Sequence, residues 1–168
     1  MGFTGTILAA KTRDLIGGKR TLATFGFHEP ESVSEGWVID EAHRHAGDAA
    51  EYFESLVAAI DGPVLVVEVF DSDVAHLIAG APASETVHLH LTPAAARAAG
   101  MSVPSSRERV ASLEAFSRWS SAAPAPITVE GLQALIDVGN VFAEGVVWEL
   151  LDALRIRLRA STGEVPIL

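Results

Sequence analysis

Apolar and polar residues alternate along the first half of the chain and recur at helical spacing along the second. Phe3 to Ala10 reads as a strand. Gly17-Gly18 mark a turn, and Thr21 to Phe27 read as the hairpin partner of that strand. Gly36 to His43 form a third strand around Trp37, Val38 and Ile39, residues of high β-propensity. Asp48 and Glu51 then stand in capping-box spacing before Phe53, Leu56, Val57 and Ile60, the apolar stripe of a helix that Gly62-Pro63 end. Val64 to Phe70 is a nearly unbroken apolar run of strand length, the mark of a central strand. The polar turn Asp71-Ser72-Asp73 separates it from Val74–Ala79, and Gly80–Ser84 separate that strand from Thr86–Leu91.

Beyond Leu91 the signals become helical. Thr92-Pro93 open a short helix that Gly100 closes, and Ser105 with Glu108 form a second capping box. Ser120 to Pro126 read as a linker. Thr128 caps a last helical region that pauses at Gly139-Asn140 and carries Arg155, Arg157 and Arg159 near its end. The chain therefore predicts one α+β domain over 1–168, strand-rich over 1–91 and helical over 92–168. It has two βββα-like halves, a mainly antiparallel sheet of about five or six strands, and helices packed on one side. Hairpin-length turns favour antiparallel pairing, since parallel strands need long crossovers.

Side-chain parity sorts the three strands of the middle region into two faces. Leu65, Val67, Val69, Ala75, Leu77, Ala79, Val87, Leu89 and Leu91 fall on one face, and all are apolar. The other face carries Glu68, His76, His88 and His90 among apolar neighbours. A turn centred on Ser72 sets Glu68 opposite His76. A turn centred on Pro82 sets His76 opposite His88, with His90 one step further along. Directly paired side chains stand about 4.5–5.5 Å apart at Cβ, near enough to hydrogen-bond or to share a ligand. Glu68, His76 and His88 are thus the candidate acid–base residues, and His76, His88, His90, Asp71 and Asp73 the candidate ligands of a divalent metal. The alternative role for the row is a polar sheet face with ordinary Glu–His pairs. His43 and His45 form a separate pair that reads as surface histidines.

Composition and charge narrow the function. The chain has 168 residues, 49% of them apolar, with a mean hydropathy of +0.30, values that exclude intrinsic disorder. No apolar run approaches the roughly 18–20 residues that span a bilayer. There is no cysteine, hence no disulfide or thiolate site, which fits a cytoplasmic protein. Ten arginines against two lysines, with abundant alanine, suggest a bacterial source. The net charge is −10, and Glu29 to Glu85 carry thirteen acids against one base, Arg44. Such a balance argues against nucleic acid and against anionic membranes.

No Walker loop, nucleophile elbow, zincin helix or dinucleotide fingerprint is present. No cofactor is expected beyond the metal considered above. The expectation is a non-enzymatic binding module whose acidic region meets a basic protein, as an immunity protein masks a basic toxin. The alternative is a small-molecule, metal or enzymatic site on the Glu68–His76 face. A third reading is a homodimer, suggested by Phe142, Val146, Val147, Trp148 and the apolar tail Val165–Leu168.

Overall fold

The computed structural model describes residues 3–42, 49–138 and 142–157. The strands β1 (Gly5–Lys11), β2 (Glu31–Ser34), β3 (Trp37–Ala42), β4 (Val64–Phe70), β5 (Val74–Gly80) and β6 (Val87–His90) form one sheet. Its order is β2-β3-β1-β4-β5-β6, and every pairing is antiparallel. The helices are α1 (Leu15–Thr24), α2 (Ala49–Ile60), α3 (Pro93–Ala98), α4 (Ser106–Trp119), α5 (Val129–Val138) and α6 (Ala143–Ala153).

The odd-numbered face behaves as its parity predicts. Leu65, Val67, Val69, Leu77, Val87, Leu89 and Leu91 are all buried in one cluster with Ile7 and Trp37. The C-terminal helices cover this face with Leu113 and Phe116 from α4, Leu132 and Ile136 from α5, and Val147 and Leu150 from α6. The opposite face is also covered over β1, β3, β4 and part of β5. There Leu8, Val38, Val64, Val66 and Ile78 pack under Leu22 of α1 and Phe53, Leu56 and Ile60 of α2. The helices of the C-terminal third thus gather on one side, and the first two add a thinner layer on the other. Gly80 links the layers. A Cβ there would stand 2.9 Å from the Phe53 ring, while its carbonyl accepts the Trp119 indole N–H at 2.9 Å.

Two elements depart from the sequence reading. Thr21 to Phe27 is not a strand, because Asp14 caps a helix there by accepting the N–H groups of Ile16 and Gly17. Gly17 and Gly18 sit inside that helix. A Cβ at either would press on Asp14 or Thr12 within 2.5 Å, so the glycines serve close packing rather than a turn. Glu31–Ser34 is a short edge strand that no apolar alternation announces, and its pairing with β3 shifts register between Ser32 and Ser34.

The β4–β5 turn ties the two ends of the fold together. Asp71 and Ser72 both take positive φ, 50° and 59°, a conformation costing non-glycine residues about 1 kcal/mol or more each. Ser72 is buried and bonded on every side. Its hydroxyl accepts Phe3 N–H at 2.6 Å and donates to Glu144 at 2.9 Å. Its amide donates to the Phe3 carbonyl at 2.8 Å, and its carbonyl accepts Ala143 N–H at 2.6 Å. In the C-terminal part, Ser105 and Glu108 make both bonds of the expected capping box of α4, and Thr128 accepts Gly131 N–H.

Val67 lies at the centre of the odd face and is fully buried. Val67→Ala should lower the free energy of unfolding by about 1–3 kcal/mol, measured by urea denaturation, through lost methyl burial and the cavity left behind. An exposed change such as Glu54→Gln should leave it unchanged.

Candidate functional site

The sheet brings Glu68, His76, His88 and His90 to one face, at the corner where β5 and β6 extend past α2. Glu68 pairs with His76 as the Ser72-centred turn requires. The second pairing is different: His76 faces His90, and His88 faces Ile78. The cause is the turn. Ala81-Pro82-Ala83-Ser84 forms a tight turn closed by Ser84 N–H to Ala81 O at 3.1 Å, with Ala83 at φ +60°. The centre of the hairpin is therefore Ala83 rather than Pro82. A one-residue shift of the centre moves the pairing by two, so parity survives and the face stays the same.

The row across the sheet is Thr6, Glu68, His76, His90. The His76 and His90 rings stand 4.9 Å apart between centroids, and His76 stacks on His88 at 5.5 Å. All three imidazoles share the corner, with His88 exposed and the other two half-buried.

Glu68 has a more definite task. It is 6% exposed, and its Oε1 accepts the Ala49 N–H at 3.1 Å, while Oε2 lies 3.8 Å from His76 Nδ1. The carboxylate thus satisfies a backbone donor of the first turn of α2 from a neighbouring strand, where negative charge also suits the helix dipole. The expected local cap, Asp48, and the pair His43 and His45 lie outside the described residues.

The geometry limits what this corner can do chemically. Among the described residues no group of three His, Cys, Asp or Glu side chains could hold a metal ion. Asp71 and Asp73 are exposed in the β4–β5 turn, at the end of the hairpin nearer His76, and they join no such group. The crevice beside His88 and His90 encloses about 10 Å³, room for a single water. A larger cleft of about 470 Å³ lies elsewhere, between α3, the end of α5 and the start of α6, with Asp73, Arg97, Arg109 and Asp137 on its walls.

A second open groove, of about 390 Å³, lies at the opposite edge of the sheet. Glu31 and Val33 of β2 and Ile39 and Glu41 of β3 line one side, and Trp148 of α6 with Arg157 the other. The sequence reading missed it because β2 was not recognised. The pairing of Glu31 with Ile39 sets Glu31, Ile39 and Glu41 on one face, and the register shift at Val33 turns that side chain to the same cluster.

Partial desolvation of the rings, helped by neighbouring His76, holds the half-buried His90 imidazole and that of His88, exposed as the residue is overall, below the ordinary histidine value of 6.5, against a backbone hydrogen bond to Ser102 that raises His90. The unfolded chain therefore takes up these protons first. Their contribution to stability is complete above pH 6.5 and falls as pH drops below it. Buried Asp40, shifted upward by desolvation, works in the opposite sense on further acidification, since the folded state takes its proton first.

Two measurements follow. The loss of stability between about pH 7 and about pH 5 should be smaller in a His88→Gln/His90→Gln variant, as read from thermal melts across that range. Glu68→Ala should cost about 1.5–3 kcal/mol in urea denaturation, because it strips a charged acceptor from a buried N–H. A neutral result would assign that N–H another partner. No protein-family model, no curated protein and no solved structure matches the chain.

Proposed function

We propose that the protein is a partner-binding module that presents an acidic face to a basic protein. One observation carries this reading: the carboxylates of Glu29, Glu31, Glu35 and Glu41 crowd the β2–β3 hairpin. All four are exposed, and among the described residues none forms an ion pair with lysine or arginine. Of the thirteen acids from Glu29 to Glu85, ten are exposed, Asp40 and Glu68 are buried, and Asp48 is outside the described residues. Unpaired like charges repel one another, at a cost to the compact state, and they accelerate the approach of an oppositely charged surface.

The alternative, a small-molecule or enzymatic site on the Glu68–His76 face, has less support. Glu68 is engaged by the Ala49 N–H, and among the described residues no group of three His, Cys, Asp or Glu side chains could hold a metal ion.

The test uses defined probes. An oligo-arginine peptide should bind, by fluorescence anisotropy, and weaken steeply between about 0.05 M and about 0.5 M salt as the Debye length shortens. An oligo-glutamate peptide should not bind. A Glu29→Lys/Glu35→Lys variant should slow association with the arginine peptide more than it speeds dissociation. Affinity that ignores salt, or equal binding of both peptides, would overturn the reading.

A further inference from the structure

We propose that the groove between the β2–β3 hairpin and α6 is an arginine-reading site for an extended segment of the basic partner. The inference rests on the acidic-face reading above and gives it a place and a chemistry.

Three features converge there. The first is the wall of the groove. Glu31 and Glu41 supply two carboxylates, and Val33 and Ile39 supply apolar surface for the stem of a long side chain. The second is the opposite wall, where the Arg157 guanidinium lies over the Trp148 ring, 4.7 Å from its centroid. An indole face flanked by carboxylates is the setting that favours guanidinium over ammonium, because the planar, weakly hydrated cation can stack and hydrogen-bond together. Arg157 thus shows, within the chain itself, the contact that a partner arginine would make. It is exposed and forms no ion pair among the described residues, so little holds it there.

The third feature is the sheet edge. β2 is the outermost strand, and among the described residues no backbone hydrogen bond reaches its outer side. An incoming strand can pair with those free groups, and its alternate side chains then point to the groove face, as Glu31 and Val33 do. The acidic side chains suit a basic strand and repel the edge of a second copy of this chain. The partner is therefore an extended segment with arginine at alternate positions, and Arg157 is its internal competitor.

The experiment compares an alternating arginine–threonine peptide with its lysine counterpart on the full chain by fluorescence anisotropy. The arginine peptide should bind about threefold or more tightly than the lysine peptide, and Trp148→Leu should erase that preference. Glu31→Gln/Glu41→Gln should weaken it about tenfold, whereas Asp71→Asn/Asp73→Asn, on the far hairpin, should change it little. Arg157→Ala should tighten binding, since the competitor is gone. This substitution of an exposed side chain keeps the test decisive if Trp148→Leu disturbs folding. Equal binding of the two peptides, or weaker binding by Arg157→Ala, would overturn the groove while leaving the acidic-face reading standing. Failure of both peptides to bind at low salt would end both.

Discussion

A strand with no polar face must be covered on both sides, and β4 is such a strand. Val64 and Val66 point to one helical layer, Leu65, Val67 and Val69 to the other. From this follow the central place of β4 and the need for helices on each face. It also explains why Glu68 matters. A carboxylate in the middle of a doubly covered strand must find donors, and the first turn of α2 supplies one. The bond between Ala49 and Glu68 ties the first described turn of that helix to β4.

The coverage is uneven, and the unevenness organises the surface. α2 and α1 stop short of β6, which leaves the three imidazoles together at one corner, His88 and His90 beside a water-sized crevice. At the other edge, the short β2 is bent by a register shift and bordered by glutamates, a pattern that deters pairing between copies of an exposed edge. The field that opposes a second copy of this edge is the same one that would draw in the basic partner proposed above.

Period-two parity was the most legible signal. It sorted nine apolar residues onto one face and four polar ones onto the other, and it survived an error in the second hairpin. That error was the choice between Pro82 and Ala83 as the turn centre. Proline at the second position of a tight turn is favourable, but the residue after it sets the centre by taking positive φ, which alanine does not advertise. The Gly17-Gly18 pair misled for a related reason. Glycine marks close approach as readily as a turn, and the cap at Asp14 was the discriminating cue. Glu68 was correctly placed on the face, but its main partner is a backbone amide, which leaves no trace in side-chain patterning. β2 could not be found by alternation, because its residues Glu31, Ser32, Val33 and Ser34 form a half-solvated edge rather than a core strand.

The bonding of Ser72 has a consequence for the order in which the chain can fold during synthesis. The turn that joins β4 to β5 is local in sequence, yet the Ser72 hydroxyl and carbonyl reach Glu144 and Ala143 at the start of α6. Until that helix leaves the ribosome, the odd face of the sheet lacks Val146, Val147, Leu150 and Leu151, and a broad apolar surface stays open to water. A nascent chain stalled before that point exposes the apolar face that α6 covers, the kind of surface that chaperones bind and that aggregates when they do not.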